Sequence, residues 1–167
     1  LFDDCNMTGI EVAYELRNAT HHIIGSPTEI MAYGMPYKLL WNELSKVNPD
    51  YHSICTNFIN FYSNYKYGNT PYPYGTISVI DCSQVEGMLN IMKEINASSS
   101  LSTVVESNIQ SMDGYVPSIF YDMGDYVRKL AQNDPLLLAK FNRQLDRLVP
   151  EKGHTDDYYT ALRTDGI

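Results

Sequence analysis

The sequence lacks most of the patterns that point directly to a function. It contains no His-Glu-x-x-His or Cys-x-x-Cys metal motif and no glycine-rich phosphate loop. It also has no run of about 18 apolar residues, so no transmembrane helix is expected. Positive charge is scarce: 12 Lys and Arg against 20 Asp and Glu give a formal net charge of −8. A chain this acidic is a poor partner for nucleic acid or an anionic membrane.

Cysteine is scarce as well. With only Cys5, Cys55 and Cys82 among 167 residues, no disulfide framework is expected, and the odd number leaves at least one thiol free. Hydrophobic residues, in contrast, make up 44% of the sequence, which is enough for one sizeable core. One domain is therefore expected, and its function has to be sought among individual side chains.

Hydrophobic periodicity predicts an α/β fold with a mostly parallel central sheet flanked by helices. Strand-like segments at 1–3, 21–25, 76–81 and in the tail from residue 156 alternate with helical segments at 9–18, 37–48, 51–65, 83–95, 119–131 and 135–148. Four strands are few for a parallel sheet that is buried on both faces. Because the first residues also read as the end of a strand, we expect 1–167 to be a fragment of a single larger domain.

Cys5 stands at a position where α/β proteins bind ligands. It follows the strand-like residues 1–3 and precedes a helix that begins near Gly9. Ligands of open α/β sheets bind beyond the carboxyl ends of the strands, where backbone N–H groups lower a thiol pKa and stabilise an oxyanion. A buried structural cysteine is the alternative interpretation. The adjacent Asp3 and Asp4 favour that alternative, because negative charge raises the pKa of a thiol.

Cys82 is a rival nucleophile, since it repeats the order strand, Asp, Cys, helix. Its structural interpretation is stronger, because Ser83 and Glu86 form a capping-box pattern and Cys82 fits the first turn of the helix. A thiolate nucleophile also needs a base, which is usually histidine. A catalytic motif surrounds none of the four histidines: His21, His22, His52 and His154.

The segment 2–37 supplies a more specific signal. It contains a strand that ends in Asp3-Asp4-Cys5, a glutamate-bearing helix, a short strand, and a loop that runs from Ser26 to Gly-Met-Pro-Tyr37. This arrangement closely resembles the catalytic-cysteine region of the clostripain-like cysteine peptidases, which belong with the caspases, gingipains and legumains. The resemblance implies a caspase-like α/β sandwich, of which this chain carries the Cys-bearing, C-terminal part.

The resemblance also implies which catalytic groups this chain supplies and which come from elsewhere in the protein. Cys5 corresponds to the nucleophile of a Cys/His dyad, and its own N–H to part of the oxyanion hole. The family's catalytic histidine lies on a strand upstream of the cysteine, so no histidine of this chain corresponds to it. The implied partners are an upstream His-bearing segment of the same protein and a polypeptide substrate. The isolated chain is then expected to be inactive.

Residues 26–37 correspond to the wall of the pocket that takes the residue before the scissile bond. The resemblance therefore implies substrate-binding roles for Asp3, Ser26, Glu29 and Tyr33, and a preference for Arg or Lys at that position. Tyr33 stands where the family has an acidic residue, so Asp3, Glu29 and the net negative charge remain to attract a basic side chain. A structural alternative stays open for Glu29, because a serine three residues before a glutamate is also a capping-box pattern.

The resemblance also implies a location, and several residues leave rival functions open. Family members act outside the cytoplasm, which implies a secreted or cell-surface protein. No cofactor or metal site is expected from the residues, and calcium is suggested by the resemblance alone. The departures at Asp4, Asn6 and Tyr33 favour a second hypothesis, a non-catalytic binding or scaffold member of the same fold. The pattern around Cys82 leaves a third, a small-molecule hydrolase.

Overall fold

A three-stranded sheet lies between two layers of helices. The computed structural model describes residues 1–98 and 105–162. Within them the strands are β1 (His22–Gly25), β2 (Lys66–Tyr67), β3 (Thr70–Pro71), β4 (Thr76–Asp81) and β5 (Glu151–His154). The α-helices are α1 (Ile10–Leu16), α2 (Tyr37–Leu44), α3 (Tyr51–Ser63), α4 (Val85–Ser98), α5 (Met123–Leu130) and α6 (Pro135–Leu148). The alternation confirms a mixed α/β fold.

The central sheet has the strand order β1-β4-β5, and both pairings are antiparallel. Ile23 of β1 lies opposite Ile80 of β4, and Ile77 of β4 lies opposite Gly153 of β5. The prediction of a mostly parallel sheet is therefore wrong for these strands. A single crossover helix would return the chain to the end where the first strand began. Two α-helices separate β1 from β4 and three separate β4 from β5, so the alternation of elements did not fix strand direction.

Alternate side chains of the sheet supply two apolar clusters, one on each face. On one face Ile23 and Ile80 pack with residues of α1, α4, α5 and α6. On the other face Ile24, Ile77 and Val79 pack with residues of α2 and α3. Because successive strand residues point to opposite faces, one short strand serves both clusters. The described residues thus form a sandwich with helices on both faces of the sheet.

Capping signals in the sequence locate helix starts to within a turn. Asp134 accepts the Leu137 N–H and is followed by Pro135, so α6 begins where the sequence predicts. The start of α4 differs. There the Asp81 side chain accepts the Ser83 N–H and caps a short 3-10 turn that precedes the helix. The cap therefore lies two residues earlier than the capping-box pattern indicates.

The last strand lies earlier than predicted. The sequence predicts strand character from residue 156, but β5 occupies Glu151–His154, and 155–162 form an irregular segment. Residues 163–167 lie outside the described part of the chain. The sequence does not predict β5, because its residues are charged, small or polar and have low strand propensity. They alternate only between half-buried and exposed positions.

Candidate active site

The first residues of the chain run beside β1 and bring Cys5 to the loop that follows this strand. Phe2 donates its N–H to the Ile24 carbonyl oxygen at 2.8 Å. Cys5 is half-buried, and its Sγ lies 3.4 Å from the backbone N of Ile30. Residues 26–37, here named the pocket loop, therefore contact the thiol directly. The thiol lies at the carboxyl end of its neighbouring strand, the edge where α/β proteins place reacting groups.

The backbone N–H of Cys5 is already engaged. It donates to Oδ1 of Asp4 at 2.8 Å. The Asp4 side chain belongs to an exposed residue, so it is free to turn into solvent. An oxyanion could use this donor only after the carboxylate has moved away.

The other two thiols are buried and lie elsewhere. Cys82 donates its N–H to the His21 carbonyl oxygen, which places it at the opposite end of β1 from the pocket loop. Burial and, secondly, the charge of Asp81 raise the pKa of the Cys82 thiol. Burial and, secondly, Glu151 raise the pKa of Cys55 to about 12. Both thiols are therefore poor nucleophiles at neutral pH, which leaves Cys5 as the reactive candidate.

No histidine lies beside Cys5 in residues 1–98 and 105–162, which contain all four histidines of the chain. His21 and His22 are at the far end of β1, and His52 lies 3.1 Å from the first residue of β5. His154 ends β5, and the strands β4 and β1 stand between it and the first residues of the chain. At about 4.8 Å per strand, that separation is roughly 14 Å.

Asp3 anchors the far end of the pocket loop. Its Oδ1 accepts the Met35 N–H at 2.8 Å, and its carboxylate accepts a hydrogen bond from the Tyr37 hydroxyl. Partial burial and this hydrogen bond raise the pKa of Tyr37 above its ordinary value. Gly34, with a φ of +73°, packs so closely that a Cβ there would lie 2.5 Å from Asp3 Oδ1. Asp3 is nevertheless an exposed residue, so its charge remains accessible two residues from Cys5.

Ser26 is fully buried, with 0% exposure. Its Oγ lies 2.8 Å from Oγ1 of Thr76, which in turn lies 2.7 Å from Oγ1 of Thr28. The three hydroxyls satisfy one another inside the protein, as buried polar groups require. Ser26 thus fixes the start of the pocket loop to β4, and its side chain offers no exposed atom for the predicted substrate contact.

Glu29 and Tyr33, the remaining predicted site residues, lie further along the pocket loop. Glu29 begins no helix; its Oε2 accepts the Ala161 N–H at 2.8 Å and so ties the loop to the segment after β5. The Tyr33 side chain is 55% exposed and rests on two aromatic rings of α3. Its ring centroid lies 4.9 Å from that of Phe61 and 5.5 Å from that of Tyr65. At this position the loop therefore presents an aromatic surface.

One further residue supports the pocket loop from below. Tyr62 of α3 is completely buried and donates its hydroxyl hydrogen to the Gly34 carbonyl oxygen at 2.6 Å. The four-residue spacing from Phe58 places Tyr62 on the apolar stripe of α3 and indicates no specific contact. A buried tyrosine hydroxyl requires a hydrogen-bond partner, so a tyrosine on an apolar stripe indicates that such a contact exists. The pattern does not indicate which residue the partner is.

Asn6 follows Cys5 with an unusual backbone conformation. Its φ is +57°, in the left-handed region that asparagine tolerates better than other residues with a Cβ. Its Oδ1 is buried and has no hydrogen-bond partner within residues 1–98 and 105–162. Backbone strain of this kind is concentrated at functional sites, where it sets the direction of a reacting side chain.

Replacing Asn6 by valine is expected to lower the free energy of unfolding by about 1–3 kcal/mol and to slow alkylation of Cys5, because a β-branched residue resists positive φ. Asn6→Gly should preserve both properties, since glycine adopts this conformation freely. Thermal denaturation and iodoacetamide labelling of the complete protein provide the two measurements. Identical behaviour of the two variants would show that the positive φ plays no part.

The described residues lack both a metal-binding cluster and a membrane-spanning helix. Among 1–98 and 105–162, no group of three or more His, Cys, Asp or Glu side chains is arranged to hold a metal ion. In the same residues, no helix has the length and apolar character needed to cross a bilayer.

Comparison with known proteins identifies the class. Residues 1–146 match the model of the clostripain family, Peptidase_C11, while comparison with curated proteins finds no match. Among solved structures, a clostripain from Bacteroides thetaiotaomicron in complex with the peptide inhibitor BTN-VLTK-AOMK is 47% identical, with a TM-score of 0.90 and 97% of this chain covered. A secreted C11 cysteine protease of the same organism is 47% identical, with a TM-score of 0.91 and 98% covered. These matches place the chain among the cysteine peptidases.

The chain belongs to the clostripain family. An inactive zymogen C11 protease from Parabacteroides distasonis is also similar, at 30% identity, a TM-score of 0.83 and 98% of this chain covered. This chain spans 70% of the length of the first of the three solved chains, 44% of the second and 46% of the third. Two of these relatives therefore contain more than half of their residues outside the matched region.

Proposed function

We propose that this chain carries the nucleophile of a cysteine endopeptidase that pairs Cys5 with a histidine from an upstream segment of the same protein. The observation that carries the proposal is the contact between the Cys5 thiol and the pocket loop, with Sγ 3.4 Å from the Ile30 backbone N. Only this thiol is half-buried, whereas Cys55 and Cys82 are buried. Membership of the clostripain family supports the same assignment.

The proposed reaction requires a proton to move twice. The imidazole takes the proton of the Cys5 thiol, and the thiolate attacks the carbonyl carbon of the scissile bond. The carbonyl oxygen becomes an oxyanion, and the imidazolium returns the proton to the leaving amine as the C–N bond breaks. Water then hydrolyses the thioester and restores the thiol. The Cys5 N–H supplies one oxyanion donor once the exposed Asp4 carboxylate has turned away from it.

The base is proposed to come from outside this chain because none of its histidines reaches Cys5. The His154 end of β5 is separated from the first residues by two strands, and the other three histidines lie at the opposite end of the sheet or on its helical face. The longer relatives have residues that could supply such a group. Secretion is proposed on the same basis, since one of the 47% identical relatives is a secreted protease.

A basic residue before the scissile bond is the proposed specificity. Asp3 is exposed and lies two residues from Cys5, so it can pair with Arg or Lys at low cost in desolvation. Glu29 is occupied by the Ala161 N–H, and Tyr33 offers an aromatic face that can stack against the alkyl part of a basic side chain. The inhibitor bound by the clostripain relative has the letters VLTK, which end in lysine.

The specificity is tested with peptidyl electrophiles that end in lysine or in norleucine, applied to the complete protein. We expect the lysine reagent to modify Cys5 at least about 10-fold faster than the norleucine reagent. Asp3→Asn should remove most of this difference, because the amide oxygen can still accept the Met35 N–H while the negative charge is lost. Mass spectrometry of the adduct and its rate of formation provide the measurement.

Glu11→Gln serves as the matched control, since it removes one exposed negative charge from α1 instead. It should leave the lysine preference unchanged. An equal loss in both variants would assign the preference to net charge and not to Asp3. Absence of any adduct on Cys5 would contradict the proposed nucleophile and favour the scaffold hypothesis, which the Asp4 carboxylate on the Cys5 N–H also supports.

A further inference from the structure

A loop before α5 exposes four large apolar side chains that the core does not use. Val116 is 98% exposed, Ile119 62%, Tyr115 47% and Phe120 39%. The sequence predicts a helix from residue 119, but α5 begins only at Met123, so Ile119 belongs to the loop. Residues 113–120 are named the apolar loop. Grouped apolar exposure of this kind marks a binding surface more often than a structural need.

The apolar loop is fixed in shape by one buried carboxylate. Asp113 is only 4% exposed, and its oxygens accept the N–H groups of Tyr115 at 2.8 Å, Ile119 at 2.8 Å and Phe120 at 2.6 Å. Burial alone would raise the pKa of the Asp113 carboxyl, but the hydrogen bonds from Ile119, Phe120 and Tyr115 outweigh it and hold the pKa below its ordinary value. The carboxylate is therefore ionised at neutral pH, where such bonds are strong.

The apolar loop is also connected to the candidate active site through two intervening segments. Gly114 packs against Thr160 so closely that a Cβ would lie 2.6 Å from Thr160 Oγ1. The neighbouring residue Ala161 donates its N–H to Glu29 of the pocket loop. The pocket loop in turn contacts the Cys5 thiol. Three consecutive contacts thus connect the nucleophile, the pocket loop, the segment after β5 and the apolar loop.

This order in space bears on how a substrate would lie. If a peptide places its scissile carbonyl at Cys5 and the preceding side chain against the pocket loop, its residues further toward the N-terminus would extend over that loop. An extended chain advances about 3.3 Å per residue. Three or four residues therefore cross two neighbouring chain segments of about 5 Å each. Side chains at those positions would then meet the apolar loop.

Building on the proposed function, we propose that Tyr115, Val116, Ile119 and Phe120 form an apolar subsite for substrate side chains at the second to fourth positions before the scissile bond. The ligand class is a polypeptide with apolar residues at those positions. Because Asp113 already orders the loop, substrate binding does not have to order it first. More of the contact energy is then available to favour peptides with apolar residues. Apolar contacts of this size discriminate by about 10–100-fold in kcat/KM.

The test uses the complete protein and two fluorogenic peptides with lysine before the scissile bond. One peptide carries valine and leucine upstream, and the other carries serine and glutamine. The wild-type protein is expected to cleave the apolar peptide at least about 10-fold more efficiently. Val116→Asp and Ile119→Asp should each remove most of this advantage, chiefly through KM, and leave cleavage of the polar peptide within about two-fold.

Val47→Asp is the matched control, because Val47 is 97% exposed and lies in the connection between α2 and α3. It should leave both peptides unaffected, and thermal denaturation should show all three variants folded. Equal cleavage of the two peptides by the wild type, or an unchanged advantage in both loop variants, would overturn the apolar subsite while the nucleophile stands. Failure of the wild type to cleave either peptide and to form a Cys5 adduct would overturn the proposed function and the subsite with it.

Discussion

Cys5→Ala in the complete protein is expected to lower kcat/KM for peptide cleavage by about 1,000-fold or more. The methyl group of alanine cannot form the thioester, and no other thiol is available to replace Cys5, because Cys55 and Cys82 are both buried. The variant should still fold, since Cys5 is only half-buried. Initial rates with a fluorogenic lysine peptide, together with a thermal denaturation curve, provide the measurement.

Cys82→Ala is the matched control for the nucleophile. It removes one sulfur atom from a buried position at the other end of the sheet, so a loss of about 1 kcal/mol in stability is expected. Cleavage should remain within about two-fold of the wild type. The assignment of Cys5 fails if the Cys5 variant retains cleavage, or if a folded Cys82 variant loses it.

Gly34→Ala is expected to lower the free energy of unfolding by about 3 kcal/mol and to reduce cleavage at least about 10-fold. The new methyl group would meet the Asp3 carboxylate at 2.5 Å, and a residue with a Cβ resists the φ of +73°. Relief of the clash would displace Asp3 and weaken the hydrogen bond from Tyr62 to the Gly34 carbonyl oxygen. Chemical denaturation and initial-rate assays measure the two losses.

Gly68→Ala separates the two contributions to this loss. Gly68 has a similar φ of +61°, but a Cβ there would have nothing within 4 Å. Only the cost of the left-handed backbone conformation remains. The free energy of unfolding is therefore expected to fall by about 1 kcal/mol, and cleavage to stay unchanged. Equal losses in the two variants would show that the packing of Asp3 against the pocket loop contributes nothing.

The elements that local signals specify were predictable from the sequence. β4 is a β-branched segment with its core on both faces, and α6 begins at an aspartate followed by proline. The order of strand, Asp and Cys predicted only that Cys5 follows the end of a strand, and its proximity to the pocket loop was implied by the resemblance to the clostripain-like peptidases. The membership of the clostripain family, which was inferred from residues 2–37, is confirmed.

The features that depend on distant residues were not predictable. Strand direction is set by how several helices pack, and the sequence pattern carries no record of that. Ser26 was expected to bind substrate, but its hydroxyl is buried against Thr76, which is 50 positions away. Glu29 matched a capping pattern, yet its partner is Ala161. In each case the hydrogen-bond partner of a polar side chain is far away in the sequence, so the local sequence pattern does not reveal it.

The contact between Glu29 and Ala161 can form only late in the synthesis of the protein. These residues are 132 positions apart, whereas Cys5 and Ile30 are 25 apart. At about 5–20 residues per second, the segment that contacts Glu29 is made roughly 7–26 s after the pocket loop itself. During that interval a growing chain contains Cys5 and the pocket loop but not the segment that contacts Glu29. The order of translation therefore delays completion of the proposed binding site well beyond synthesis of Cys5.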